Sequence, residues 1–307
     1  MKYEKKIRII NPETWNHHRH GWKEVVSKIK YYLENDNGIE LHTNIESESI
    51  NNVTIKNPWI GIIHNVPKHP DYVMEYYNID CSNEIFFSSH TWQSSKNKCK
   101  GLITFSNYSK NFIKAQTSTP VCNLFHPTEN SVEKFNWNNF EKNKDKKIIM
   151  IGHWLRNFYT LEKIKSNILK VCLLKGGDFI YEKLKLNNIF FLERIDNTAY
   201  DDLLSNNIVF LDLFDSSANN VIIECIQRNT PIIVNKLEAV VEYLGENYPL
   251  YFNNLNEINI LSNNFDKLYQ GYIYLKNLDK TFLSYDHFIE SLANCSIYKS
   301  IKLAKYL

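Results

Sequence analysis

Asp215–Gly245 reads DSSANNVIIECIQRNTPIIVNKLEAVVEYLG. A short polar loop, Asp215–Asn219, runs into an apolar helical stretch over Asn219–Gln227. A Pro-led, β-branched strand over Pro231–Asn235 follows, and then a second helix begins. Loop, helix, strand and helix in that order describe one turn of an α/β fold. Ser217 or Asn219 can cap the first helix through a side-chain oxygen. The unpaired backbone amides behind such a cap offer a seat for an anion. A capped, buried helix with no ligand explains the same residues equally well.

Two carboxylates sit on the helical segments. Glu224 lies between Ile223 and Cys225, where it can accept paired hydrogen bonds from vicinal hydroxyls of the kind a ribose presents. Alternatively it occupies an exposed helix face, or pairs with Arg228 at i+4. Glu242 either orients a polar ligand or is a surface residue.

The same rhythm continues outward. Strands are expected at Lys147–Ile151, Ile168–Leu174, Ile189–Leu192 and Ile208–Leu213, with a short helix at Ala199–Ser205. Upstream, strands are expected at Lys6–Ile10, Trp59–His64, Glu84–Ser88 (EIFFS), Gly101–Phe105 and Thr119–Leu124. Helices follow Gly21 and span Ser109–Ala115. The polar run Asn130–Lys147 (NSVEKFNWNNFEKNKDKK) marks the main boundary. The expected domains are 1–140 and 141–275, with a helix-prone tail over 276–307 packing back on the first. Two such domains are expected to face a cleft at the carboxyl ends of their sheets, where α/β proteins bind ligands.

Several strand ends carry candidate chemistry. Gly152 permits a tight turn after Lys147–Ile151, and Arg156 reaches from the loop, suited to bidentate contact with a diphosphate. His153 is placed to add a donor. Lys175 precedes two glycines and is a weaker phosphate candidate. His64 ends WIGIIH, where it positions a hydroxyl or serves as a strand-end hydrogen bonder. His90 and Ser106 have similar but weaker claims, Ser106 first as a local cap. His17, His18 and His20 crowd one loop, without the carboxylate or cysteine complement of a metal site.

Bulk composition narrows the classes. The chain has 307 residues, 43% hydrophobic, with 36 basic and 34 acidic residues and a formal charge of +2. That balance gives no global case for nucleic-acid binding. Six cysteines without a CxxC pair fit a reducing compartment. The N-terminus does not read as a signal peptide, and no run reaches the ~20 apolar residues of a membrane span. A cytoplasmic location is expected, with peripheral membrane contact open. GxGxxG, Walker A, GxSxG and HExxH patterns are absent, which disfavours a dehydrogenase.

Taken together, IGHWLRNFYTL (from Ile151), VCLLKG (from Val171), ERIDNTAYDDLLSN (from Glu193) and NNVIIECIQRNTPIIVNKLEAVVEYLG (from Asn219) resemble the nucleotide-sugar domain of GT-B glycosyltransferases. The likeness is strongest to the retaining group called family 4 or group 1, and covers roughly Lys147 to Phe252. GIIHNVP and GLITFSNYSKNFI match the other half more loosely.

The resemblance implies two doubly wound, Rossmann-like α/β domains of GT-B type and transfer of a sugar from a nucleoside-diphosphate donor to an acceptor hydroxyl, with retention. It implies that Arg156 holds the diphosphate and Glu224 the ribose. Gly152, His153, Lys175, Ser217, Asn219 and Asn220 would line the phosphate and sugar side, Ile195 would frame the base, and His64 would approach the transferred sugar. No cofactor or metal is implied. The acceptor would be a glycan, a lipid-linked sugar or a protein. Three features depart from the family: Ser216 stands where a first glutamate is expected, NFYT replaces the lysine after the arginine, and WNHHRHGW replaces the glycine-rich first loop. A nucleotide-sugar binder without turnover and a nonhydrolysing epimerase are the competing readings.

Overall fold

The computed structural model describes residues 3–12, 21–73, 80–174, 186–193 and 195–302. Contacts divide the chain into two units. The first ends at Glu129 and resumes at Thr281, and the second runs from Asn130 to Lys280. The first division falls before the expected 140 and the second after the expected 275. The polar run after Asn130 is the physical reason for the first shift. It opens the second unit, where Phe135 donates its N–H to Arg228 O at 2.8 Å and Phe140 is fully buried.

In the first unit five strands, β1 (Ile7–Ile10), β2 (Ile39–His42), β3 (Trp59–Ile62), β4 (Cys99–Thr104) and β5 (Val121–Asn123), pair in parallel in simple sequence order. Helix α1 (Trp22–Leu33) follows β1 and buries Trp22, Val25, Val26, Ile29 and Leu33, the periodic apolar stripe read after Gly21. Short helices α2 (Ile45–Ile50), α3 (Asn83–Ser88) and α4 (His90–Ser95) come next, then α5 (Asn107–Gln116), capped by Ser106.

The segment EIFFS therefore lies in a helix, not a strand. Phe86 and Phe87 are buried side by side against Trp92 while Ile85 is 45% exposed. A strand would send Phe86 and Phe87 to opposite faces.

The second unit holds α6 (Trp137–Lys142), β6 (Lys147–Ile151), α7 (Phe158–Lys163), β7 (Leu169–Leu173), β8 (Phe190–Leu192), α8 (Asn197–Asn206), β9 (Ile208–Leu211), α9 (Asn220–Arg228), β10 (Ile232–Asn235), α10 (Glu238–Leu244), β11 (Tyr251–Phe252), α11 (Leu255–Asn263) and α12 (Phe265–Asn277). Its six strands are all parallel, in the order β11-β10-β9-β6-β7-β8. β6 is the first strand of the unit, so the winding reverses between β6 and β9. Ile148–Met150, Val209–Leu211 and Ile232–Val234 are all fully buried, as expected of strands covered on both faces.

The chain then returns to the first unit, where α13 (Tyr285–Asn294) packs on α1 and α14 (Ser296–Ser300) reaches β5. Gly101 on β4 allows that approach: a side chain there would collide with the buried Ile297.

Candidate functional site

In an open α/β sheet the crevice outside the carboxyl ends of the strands, at the point of reversal, receives ligands. In the second unit that point lies between β6 and β9, and the loops leaving these two strands carry Arg156 and Asn219.

Gly152 ends β6 with φ +77°, a conformation that disfavours side chains, and its N–H is held by Leu173 O at 2.9 Å. The turn brings Arg156 back under the strand. Its Nε donates to Ile151 O at 3.2 Å, Nη1 to Trp154 O at 2.7 Å and Nη2 to Asn219 Oδ1 at 3.5 Å. The guanidinium is thus tied to the other side of the reversal. His153 lies in the same turn, its carbonyl accepting from the Arg156 N–H. Asn157 and Thr160 donate to the Asp212 carboxylate at 2.9 and 2.5 Å, and Asn235 brackets Leu213 with both ends of its amide. Burial pushes the Asp212 carboxyl up, with the Thr160 and Asn157 hydrogen bonds opposing.

On the β9 side Asn219 is the N-cap of α9, accepting from the N–H groups of Val221 and Ile222 at 3.1 and 3.3 Å. Of the two expected caps, Asn219 does the capping. Ser217 is 3% exposed, and its hydroxyl has no hydrogen-bond partner among the described residues. Asn220 is the first helical residue. Asp215, at the head of this loop, accepts from the Ser216 N–H at 2.7 Å. The site therefore has a fixed cation, a helix N-terminus with the positive end of its dipole, and an orphan buried hydroxyl in the loop that leads into that helix.

Glu224 lies one turn into α9 and is half-buried. It accepts a short hydrogen bond from the Tyr200 hydroxyl on α8. Burial, together with the adjacent Glu224 charge, holds the Tyr200 phenol well above its ordinary value. Arg228 bonds instead to Asp201 at 2.5 Å. Ile195 is half-buried just before α8. Glu242 is half-buried on α10, away from both loops in sequence. Lys175, His17, His18 and His20 lie outside the described residues. Tyr200, Ser217 as an orphan hydroxyl, and Asp212 were not legible in the sequence, since each depends on tertiary neighbours.

His64 belongs to the first unit, just past β3. Its Nε2 lies 2.8 Å from Thr43 O, its N–H donates to Glu46 at 2.7 Å, and its ring meets Trp22 edge-on at 4.4 Å and Phe105 at 5.1 Å. The residue keeps some surface exposure, but the ring is enclosed. Burial lowers its pKa to about 3, against the opposing Thr43 hydrogen bond. The imidazole is neutral at physiological pH and donates through Nε2. Glu46 is fully buried and also accepts from Asn65 N–H at 2.8 Å, so it shapes this strand end. Its setting in IESESI gives no sign of that role. His90 pairs with Thr54 at 3.0 Å on the surface. Among the described residues no group of three or more His, Cys, Asp or Glu could hold a metal ion, and no helix is long and apolar enough to cross a membrane.

No known protein-family description matches this sequence. No curated protein matches it in sequence either. Solved structures do match the fold. The glycosyltransferase TarM aligns over 90% of this chain with a TM-score of 0.60 and 15% identity. Anabaena HepE in complex with UDP aligns over 88% with a TM-score of 0.61 and 12% identity. The pneumococcal O-GlcNAc transferase GtfA, in complex with UDP and GlcNAc, aligns over 88% with a TM-score of 0.57 and 9% identity. The chain spans 58% of TarM, 80% of HepE and 58% of GtfA. At these identities the likeness establishes the fold: two parallel-sheet α/β units of the GT-B glycosyltransferase type.

Proposed function

We propose that this chain transfers a sugar from a nucleoside-diphosphate donor to an acceptor hydroxyl, with the donor bound by the second unit. The observation that carries the reading is the tie between Arg156 and the α9 cap Asn219 across the reversal of the second sheet. The GT-B fold and the UDP named with HepE and GtfA make uridine diphosphate the first nucleotide to try.

In this reading the diphosphate lies against Arg156 and the first amides of α9, with the Ser217 hydroxyl as an added donor. Gly152 keeps the β6 turn clear of side-chain bulk, and His153 and Asn220 flank the phosphates. Glu224, steadied by Tyr200, accepts from the ribose hydroxyls, and Ile195 lies beside the base. The bond between the anomeric carbon and the diphosphate oxygen breaks, and its electron pair leaves with the nucleotide. The acceptor oxygen forms the new bond on the same face, which retains configuration, and its proton passes to a phosphate oxygen of the leaving group. Arg156 and the helix amides stabilise the charge that grows on that group. No metal step is invoked. His64, as a neutral imidazole, serves as a hydrogen-bonding partner for sugar or acceptor and not as a charged acid.

One observation favours a second reading, a nucleotide-sugar binder without turnover. Ser216, eight residues before Glu224, supplies no carboxylate at the sugar side, and it is 3% exposed. Incubation with a set of UDP- and GDP-sugars, following complex formation and nucleotide release by mass spectrometry, separates the two. Release that is lost in Arg156→Ala and Glu224→Ala supports transfer. Tight binding without release, even with acceptor mixtures present, supports the binder.

A further inference from the structure

The second unit carries a depression built from α6 and α12. It is an open groove of about 560 Å³, lined by rings and by short polar side chains. Four aromatic residues form its floor and wall. The Trp137 ring lies near-parallel to Tyr272 (centroids 6.3 Å, 27°) and meets Tyr269 edge-on at 5.1 Å. Phe265 is 6.5 Å from Trp137, with the Lys146 ammonium 4.9 Å from its centroid. Tyr269 and Phe265 remain 44% and 37% exposed. Exposed rings gathered in one depression mark a candidate interaction or ligand surface.

The polar part of the lining decides what that is. Asn136 and Asn138 bring amides, Glu141 and Asp266 bring carboxylates, and Lys276 in the lining and Lys146 over the Phe265 ring bring ammonium groups. Acids and bases in balance leave no net basic surface, which nucleic acid and anionic lipid both need. Ring faces beside amides and carboxylates suit a pyranose. The C–H face of the sugar covers the ring, while the equatorial hydroxyls donate to carboxylates and exchange hydrogen bonds with amides. The volume lies within the range of ordinary small-ligand sites. A second depression of about 420 Å³ borders the same Tyr269 and Ile273.

We infer that the α6–α12 groove is a saccharide-binding site, separate from the Arg156 loops, that holds an uncharged oligosaccharide across Trp137 and Tyr269. The inference goes beyond the donor reading and does not depend on it, because its ligand, its residues and its readout are all different.

Saturation-transfer NMR on the full chain, with the neutral tetrasaccharides of α-glucose, β-glucose and β-N-acetylglucosamine as probes, tests it. At least one probe is expected to receive saturation. Tyr269→Ala is expected to weaken that binding about tenfold, the scale of one lost ring contact, and Tyr269→Phe to retain it. UDP binding is expected to be the same in both variants. Asp266→Asn, which leaves the rings in place, keeps the test open if Tyr269→Ala fails to fold, and is expected to weaken binding severalfold. Absence of transfer to all three probes overturns the inference. So does binding that survives Tyr269→Ala and Asp266→Asn unchanged, or binding that is lost in Arg156→Ala. Association with phosphatidylglycerol vesicles that depends on Tyr269, in the absence of saccharide binding, would assign the groove to a membrane surface instead. Failure of UDP to bind any form would count against the donor site alone.

Discussion

The two units are built from the same parts and use them differently. Both have an all-parallel sheet with helices between the strands. In the first, the strands follow one another from β1 to β5 without reversal; in the second, the order reverses between β6 and β9. At such a reversal the loops leave in opposite directions, and there the second unit places a buried guanidinium, a helix N-terminus and an orphan hydroxyl. At the corresponding strand ends of the first unit, side chains close on one another: His64, Trp22, Phe105 and His126 stack within 5.6 Å of their neighbours, over the buried Glu46. The two units thus differ at these strand ends: a guanidinium tied to a helix cap in the second, a cluster of rings in the first.

Arg156→Ala is expected to have the largest effect. Nucleotide-sugar turnover should fall about 10²–10³-fold, the scale of removing one strong transition-state donor, and kinetics with the donor found in the screen measure it. Arg156→Lys should recover only part, since the three donors of an ammonium share one nitrogen and cannot reach the separate acceptors on Ile151, Trp154 and Asn219 that Nε, Nη1 and Nη2 now reach. Equal turnover in Arg156→Ala would break the assignment of chemistry to the second unit.

Glu46→Ala probes the first unit. It removes a buried carboxylate that accepts from the His64 and Asn65 amides, and should cost about 3 kcal/mol in denaturant unfolding. UDP affinity should stay at its wild-type value.

Ser217→Ala sharpens the contrast, because its two effects have opposite signs. Deleting a buried hydroxyl that has no partner should leave stability unchanged or slightly raised. Nucleotide affinity should fall severalfold, about 1 kcal/mol, measured by calorimetry. A loss of stability would mean that the hydroxyl serves the fold.

A further effect concerns pH. The His64 pKa is about 3 in the folded chain, below the ordinary value of 6.5, so the unfolded chain binds more protons between these limits. Stability from this group is complete above about pH 6.5 and is lost as pH falls toward 3. The Asp212 carboxyl of the second unit is shifted up, so acidification through its range works the other way. Hydrogen exchange should show β3 losing protection on acidification before β9 does, and His64→Gln should reduce the difference.

The sequence was most readable where burial is continuous. KIIMI is a strand to the residue, and the cap and helix over Asn219–Arg228 follow from the loop chemistry. It was least readable where polar residues are buried in pairs. β2 (IELH) carries Glu40 and His42, which look solvent-facing, yet Glu40 is held by Arg8 and Asn57 and His42 by Glu48. EIFFS looks like a strand because two adjacent phenylalanines hide the period. In the candidate site, Arg156 and Asn219 could be named from strand ends and caps. The spacing of Glu224 and Arg228 suggested a mutual ion pair, whereas the fold gives Glu224 to Tyr200 and Arg228 to Asp201. These partners come from a neighbouring helix, and a pattern within one helix does not contain them.

The most direct test of the central claim is titration of UDP into the intact chain by calorimetry, with Arg156→Ala, Glu224→Ala and Glu46→Ala beside the wild type. The account predicts saturable binding at one site, abolished by Arg156→Ala, weakened by Glu224→Ala and unchanged by Glu46→Ala. UDP binding that survives Arg156→Ala but is lost in a folded Glu46→Ala chain would place the nucleotide in the first unit and contradict it.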